Sequence, residues 1–134
     1  MKVVFITIQN PQEKLKGILK VSYKHFEKRE PLLFLAPNEK AKEYIDTLLW
    51  KEPVGSFLPH VATDRPTEEL IAITCLECNP NKAHTVFNLT AHPIDNSKFS
   101  FTTVYEFDDR TQPAVSKSRY KAYKEKGFQI TLTS

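Results

Sequence analysis

The chain has 134 residues, of which 40% are hydrophobic, so it can bury the core of one domain but not of two ordinary ones. The formal charge of +3 is far below the excess expected of a protein that coats nucleic acid by charge alone. Two cysteines, no signal peptide and no apolar run near the ~20 residues that cross a bilayer predict a cytoplasmic, soluble protein. We therefore expect a single domain over residues 1–134 and no membrane contact.

The first half of the chain alternates strand and helix patterns. Residues 3–8 form a nearly continuous β-branched apolar run, which is typical of a strand covered on both faces. Asn10, Pro11 and Glu13 then supply an N-cap, a proline at N1 and an acidic N3 residue, so a helix is expected to begin there. Residues 32–36 are a second apolar run. Asn38 can cap a second helix, whose predicted buried positions are Ala41, Tyr44, Ile45, Leu48 and Leu49.

The second half of the chain is richer in strand patterns. A connection punctuated by Pro53, Gly55, Pro59 and Pro66 follows the second helix, and strands are predicted over 70–75, 85–90, 102–107 and 129–132. Strand and helix alternation predicts parallel strands with right-handed crossovers, whereas successive strands suggest antiparallel additions. The expected fold is a three-layer α/β domain with a mixed, mostly parallel sheet and helices on both faces, Rossmann-like but without a nucleotide loop.

The last predicted helix, within residues 116–128, is unusually rich in lysine and tyrosine. A helical wheel places Val115 and Ala122 on the face expected to be buried, and Arg119 is expected nearer to that face. Gly127 is expected to end the helix before Phe128. The expected solvated face carries Lys117, Tyr120, Lys121 and Lys124. An aromatic ring among cations suits an acidic peptide, a phosphate backbone or a terminal carboxylate, although scattered lysines on a solvated helix also fit the pattern.

Two other functions can be drawn from the sequence. Cys75 and Cys78 form a CxxC with His84 and His92 downstream, which would allow a zinc site, but the histidine spacing is not that of a finger. A nucleotide-binding enzyme would suit the β-α-β opening. However, the first turn contains no glycine, and neither GxGxxG nor GxxxxGK[ST] occurs in the chain. A nucleotide-binding or zinc- or CxxC-dependent small α/β enzyme therefore remains the alternative to a binding module, and no metal or other cofactor is expected.

Two blocks of the chain carry a family resemblance. The run Leu48-Leu49-Trp50 followed by Ser56-Phe57-Leu58-Pro59-His60, together with Arg119-Tyr120-Lys121-Ala122-Tyr123 and Gly127-Phe128, resembles the chi subunit of bacterial DNA polymerase III holoenzyme. The resemblance implies a non-catalytic clamp-loader accessory protein with a doubly wound fold. Such a subunit binds the C-terminal tail of single-stranded-DNA-binding protein and, on another surface, the psi subunit. Contact with DNA would then be indirect.

The resemblance also implies roles for individual residues. Tyr120 and Lys121 fall on the positions that bind the acidic tail in the family, and the expected tail site comprises Lys117, Tyr120, Lys121, Lys124 and Phe128. A second interface is expected at Trp50, Phe57 and Pro59, where the partner would be psi or an equivalent clamp-loader or helicase-like protein. The alternative is that Trp50 and Phe57 simply cover the core of the sheet.

Overall fold

A computed structural model describes residues 1–51 and 58–133, which form three helices and seven strands. In chain order the elements are β1 (Lys2–Ile8), α1 (Pro11–Lys28), β2 (Leu32–Leu35), α2 (Glu39–Lys51), β3 (Val61–Ala62), β4 (Ile71–Thr74), β5 (Thr85–Asn88), β6 (Thr103–Asp109), α3 (Pro113–Glu125) and β7 (Gln129–Thr133). The predicted helices and strands are thus present, and the two-residue β3 is an addition that the sequence pattern did not indicate. None of the described helices has the length and apolar character needed to span a membrane.

The strands form one sheet in the order β3-β4-β2-β5-β6-β1-β7. The three-layer α/β class is confirmed, but the expected antiparallel additions are wrong, because every strand pair of the described residues is parallel. The error arose because no helix separates β3, β4, β5 and β6. Loops over 63–70, 75–84 and 89–102 return the chain across the sheet instead, and the first two are shorter than the roughly twelve residues usual for a parallel crossover.

The handedness of these crossovers decides which face each connection covers. From β1 to β2 and from β2 to β3 the chain moves toward the β3 edge, and the helices α1 and α2 of these connections pack on one face. From β4 onward the chain moves toward the β7 edge, and loop residues Ala83, Ile94 and Phe101 pack with α3 on the other face. Right-handed crossovers that travel in opposite directions must cover opposite faces, so the three layers follow from the strand order.

Two hydrophobic cores lie on the two faces of the sheet. On the face of α1 and α2, the Phe87 ring stacks with the rings of Phe34 and Tyr105 at centroid distances of 5.4 and 5.5 Å and lies tilted against Phe107 at 4.9 Å. Gly17 lets α1 approach this face closely, because a Cβ atom there would lie 2.9 Å from Cε1 of Phe107. The core on the face of α3 contains fewer aliphatic groups and includes a buried polar cluster.

The helix ends follow the expected capping chemistry. Asn10 Oδ1 accepts a hydrogen bond from the Glu13 N–H at 2.9 Å, and Asn38 Oδ1 accepts one from the Ala41 N–H at 2.8 Å, as predicted for both N-caps. At the end of α3, Gly127 adopts φ 77° and the Phe128 N–H donates to the Tyr123 carbonyl at 3.2 Å. This bond completes a Schellman motif, which turns the chain directly into β7.

Candidate protein-binding surfaces

A buried polar cluster determines how α3 lies on the sheet. Glu106 of β6 is fully buried, and its Oε2 accepts hydrogen bonds from Asn88 Nδ2 at 2.7 Å and from the Tyr123 hydroxyl at 2.5 Å. Arg119 Nε lies 3.0 Å from Glu106 Oε1, which is close enough for an ion pair, although its N–H is not directed for a hydrogen bond. Burial raises the pKa of Glu106 to about 7, against the opposing effect of the Tyr123 and Asn88 hydrogen bonds and the Arg119 charge.

Two further bonds connect this cluster to the backbone. Arg119 Nη2 donates to the Phe107 carbonyl oxygen at 2.8 Å, and the Tyr123 hydroxyl accepts from the Ile94 N–H at 2.7 Å. The second bond ties loop 89–102 to α3. The cluster therefore holds strand, helix and loop together, which identifies Arg119 and Tyr123 as structural residues of α3.

The helix face that packs on the sheet agrees with the prediction at Arg119, which is buried, and differs from it at Val115 and Ala122. The buried positions of α3 are Ser116, Arg119 and Tyr123, with Tyr120 half-buried beside them. Val115, expected on the buried face, is 37% exposed, and Ala122 is only half-buried. The prediction failed because it selected apolar side chains, whereas the buried Glu106 selects residues that donate hydrogen bonds or carry positive charge.

The five residues of the expected tail site form what we call the α3 basic surface: Lys117, Tyr120, Lys121, Lys124 and Phe128. Its three lysines are exposed, as predicted, and Lys124 Nζ lies 5.9 Å from the centroid of the Tyr120 ring. Tyr120 is not fully solvated, because its ring also packs against Phe5 at a centroid distance of 5.7 Å. The helix thus presents lysine ammonium groups beside the Tyr120 ring, and Phe5 supports that ring from the side of the sheet.

The Schellman turn places Phe128 at the end of this surface. Gly127 adopts a backbone conformation that L side chains rarely take, and the chain returns so that the Phe128 ring lies 6.2 Å from the Tyr123 ring. Phe128 is half-buried and packs with Ile130 and Tyr120 at the margin of the core. The margin of the surface is therefore apolar, and its centre is cationic.

Trp50, in the last turn of α2, and Pro59 lie in a second exposed region. The Trp50 side chain is 46% exposed and its ring lies 4.4 Å from the His60 ring, while Pro59 is also exposed. His60 is itself buried, with Nδ1 2.7 Å from the Leu58 carbonyl oxygen and Nε2 2.9 Å from Asp46 Oδ1. These contacts fix the support on which Trp50 rests.

Two further expectations about this block concern Phe57 and Tyr44. Phe57, the third residue of the expected second interface, lies outside the described residues. Tyr44, predicted on the buried face of α2, is instead 58% exposed, so that part of the helical pattern is wrong. Leu48 and Leu49, at the same predicted face, are buried.

The turn between β1 and α1, at the carboxyl edge of the sheet, is poorly suited to bind a phosphate. The Gln9 N–H donates to Glu13 Oε1 at 3.0 Å and the Glu13 N–H donates to Asn10 Oδ1, so side chains already occupy two amides that could hold a phosphate. The carboxylate of Glu13 would also repel an anion. The first turn therefore lacks both the glycine and the free amides of a nucleotide loop.

The CxxC residues have other partners. Cys75 Sγ donates to Glu39 Oε1 at 3.1 Å, and this hydrogen bond raises the pKa of the Cys75 thiol, opposite to what a nucleophile needs. Cys78 Sγ lies 3.4 Å from Thr74 Oγ1, and both His84 and His92 are exposed. Across residues 1–51 and 58–133, no three His, Cys, Asp or Glu side chains are arranged to hold a metal ion.

Comparison with known proteins identifies one family. The model of the family described as DNA polymerase III chi subunit, HolC, matches residues 1–131. No curated protein gives a significant match to the chain. The family match spans both motif blocks and also residues 61–110, which carry no motif of their own.

Proposed function

Because the chain belongs to the DNA polymerase III chi subunit family, we propose that it is a non-catalytic accessory subunit that binds the acidic tail of single-stranded-DNA-binding protein. The tail would lie on the α3 basic surface and link the polymerase holoenzyme to coated template. The observation that carries this proposal is the combination of three exposed lysines with a supported aromatic ring on one helix.

The chemistry of the surface matches an acidic segment with a free carboxyl end. Lys117, Lys121 and Lys124 can pair with carboxylates, and exposed ammonium groups give up little on binding because they remain partly hydrated. The half-buried rings of Tyr120 and Phe128 offer apolar area for a terminal side chain. Charge would attract the tail and the rings would retain its end.

The test is titration of a labelled peptide of consecutive aspartates that ends in phenylalanine with a free carboxyl group. Lys121→Ala should weaken binding mainly at low salt, because added salt screens its charge in the wild type as well. Tyr120→Ala should weaken binding at every salt concentration, because it removes an apolar support. Lys40→Ala, an equally exposed lysine on α2, is the matched control and should leave affinity unchanged.

Two controls separate binding from folding and from charge alone. Tyr120 contacts Phe5, so the thermal midpoint of Tyr120→Ala must be measured, and binding compared well below it. The same peptide with an amidated end should bind more weakly than the free acid. Wild-type affinity in both folded variants, Lys121→Ala and Tyr120→Ala, would place the tail site elsewhere.

A second part of the proposal assigns Trp50 and Pro59, with Phe57, to a protein interface. The partner would be psi or an equivalent clamp-loader or helicase-like protein. A tryptophan that is 46% exposed on a rigid histidine support has the character of an interface anchor. Exposed aromatic residues of this kind contribute strongly to binding when a partner covers them.

Two neighbouring residues give a matched experiment for this interface. Trp50→Ala should abolish co-purification with clamp-loader subunits and change the thermal midpoint little. Leu49→Ala is the control, because Leu49 is fully buried and its truncation should cost about 2 to 5 kcal/mol of unfolding free energy. Retention of the partner by Trp50→Ala, or a stability loss as large as that of Leu49→Ala, would contradict the assignment.

A further inference from the structure

Within residues 1–51 and 58–133, nothing protects the outer edge of strand β7 in the usual ways. Its five residues, Gln129–Thr133, include neither a charge nor a proline, and Leu132 is 64% exposed. Within the described part of the chain only β1 pairs with it, so its outer backbone groups have no strand partner there. Unprotected edges of this kind are templates for an additional strand.

The opposite edge of the same sheet is protected. β3 has only two residues, Val61–Ala62, and Pro59 and Pro66 flank it at short distance in the sequence. A short edge bounded by prolines cannot support an added strand of useful length. The exposure of β7 is thus a property of one edge and not of the sheet as a whole.

A basic groove runs along β7 on the face of α1. It has a volume of about 490 Å³, and its floor includes Val4 and Ile6 of β1, which are both half-buried. Four lysines line it, Lys2, Lys16, Lys20 and Lys24, whereas Glu13 is its one carboxylate among the lining residues. None of these lysines forms an ion pair within the described residues. The groove therefore has a net positive charge.

The register of β7 determines which side chains an added strand would meet. Thr131 and Thr133 pair with Val4 and Ile6 and face the groove, whereas Leu132 pairs with Phe5 and faces the side of α3. Successive side chains of a strand alternate between the two faces. A strand beside β7 would place every second side chain toward the lysines and the others next to Leu132.

We propose that the β7 edge and its basic groove bind an extended segment of a partner protein in which acidic and apolar residues alternate. The acidic side chains would meet Lys16, Lys20 and Lys24, and the apolar ones would cover Leu132. This site lies across the sheet edge from the α3 basic surface and does not use it.

Charge decides against a second copy of the chain as the occupant. Edge pairing of two β7 strands would bring the lysine rows of two grooves together, with only Glu13 in each to offset them. Like charges across an interface disfavour pairing, whereas an acidic segment relieves the same repulsion. The threonines and Leu132 of β7 add a strand edge that a purely electrostatic nucleic-acid site would not need.

The probe is a peptide of alternating aspartate and valine, acetylated and amidated so that it has no terminal carboxylate for the α3 basic surface. A peptide of the same composition, with all aspartates before all valines, is its control, because it cannot place its acids on one face. Binding is measured by fluorescence anisotropy at low salt. The alternating peptide should bind about tenfold more tightly than the block peptide.

Two pairs of variants locate the site. Lys16→Glu with Lys20→Glu should weaken binding of the alternating peptide about tenfold or more, whereas Lys117→Glu with Lys121→Glu, the same charge change on α3, should leave it nearly unchanged. Leu132→Pro removes an outward backbone donor and should abolish binding. Leu132→Thr keeps the donor and should retain part of it.

Hydrogen exchange provides a readout that is independent of affinity. The Gln129 N–H donates toward β1, to the Met1 carbonyl at 3.2 Å, so the alternation of a parallel strand directs the Ile130 and Leu132 N–H groups outward. These two amides should exchange quickly in the free protein and slowly in the complex.

Three results would overturn the proposal. The first is no binding of the alternating peptide, or equal binding by the Lys16→Glu and Lys20→Glu double variant. The second is binding of a short oligothymidylate that is lost in the Lys16→Glu and Lys20→Glu double variant, while the peptide does not bind. This result would assign the groove to nucleic acid. The third is a dimer in sedimentation that Leu132→Pro dissociates. A failure of the tail to bind the α3 basic surface would not change any of these three results. The tail site and the β7 site can therefore be refuted independently.

Discussion

The two faces of the sheet are packed by different means. On the face of α1 and α2, buried Ile, Leu and Phe side chains fill the space between helices and strands, and the Phe87 ring packs against three other aromatic rings. On the face of α3, one helix and loop 89–102 cover the sheet, and Glu106, Asn88, Arg119 and Tyr123 share the interior with a smaller apolar core.

This difference shows how a helix with little apolar surface can be held on a sheet. Apolar packing is non-directional and tolerates small shifts, whereas buried hydrogen bonds and ion pairs require particular partners. The cluster under α3 therefore fixes the rotation of the helix, and the rotation decides that lysines face the solvent. The first face supplies general stability, while the second positions a surface.

The largest expected effect is the loss of the buried carboxylate. Glu106→Leu should lower the unfolding free energy by about 3 to 5 kcal/mol, because Asn88 and Tyr123 lose their hydrogen-bond acceptor and Arg119 loses its buried counter-charge. Arg119→Met should cost less, since the remaining carboxyl group can take up a proton. Urea unfolding of both variants and of the double variant tests this. If the double variant loses as much unfolding free energy as the two single variants added together, Glu106 and Arg119 are not energetically coupled.

The next effect is a pH dependence confined to the face of α3. The pKa of Glu106 is about 7 in the folded protein and about 4.3 when unfolded, so between these pH values the folded state binds more protons. Stability should therefore fall as pH rises through this window, by up to about 1.4 kcal/mol per pH unit, and level off above it.

The variant Glu106→Gln isolates this contribution, because glutamine does not titrate at that position. The difference in unfolding free energy between wild type and Glu106→Gln should change between about pH 4.5 and pH 7. If this difference in unfolding free energy does not change between about pH 4.5 and pH 7, Glu106 is ionised in the folded protein across the whole window.

A smaller effect is expected from the link between α3 and loop 89–102. Tyr123→Phe removes the hydroxyl that donates to Glu106 and accepts from the Ile94 N–H, so two buried groups lose a partner. Stability should fall by about 1 to 3 kcal/mol. Hydrogen exchange of the Ile94 amide should accelerate more than that of the Phe34 amide on β2. Equal acceleration at both sites would indicate global unfolding only.

The smallest effect belongs to the apolar face. Ile73→Val removes one buried methylene between the sheet and the two helices and should cost about 1 kcal/mol at any pH. Combined with Tyr123→Phe, the loss should be additive, because the two residues lie on opposite faces and share no partner. A strong interaction between them in a double-mutant cycle would show that the faces are not independent.

Much of the first face could be predicted from the sequence. Asn10, Pro11 and Asn38 mark the helix starts by local capping, and the apolar spacing identifies Ile45, Leu48 and Leu49 as core. These signals are local, because they depend on residues within one or two turns. The exposed lysines of α3 and the exposed Trp50 also followed from the sequence and the family resemblance, whereas the partners of both surfaces stay a prediction.

The α/β class, the helix starts and the presence of a basic helix could be predicted from the sequence, since period, cap and composition are properties of short segments. The folded structure was needed to establish that all described strands are parallel, that Tyr123 and not Val115 packs on the sheet, and that β7 is exposed beside a row of lysines. Each of these features depends on contacts between residues distant in the chain. Glu106 illustrates the reason, because its demand for donors on α3 becomes visible only when β6 and α3 are brought together.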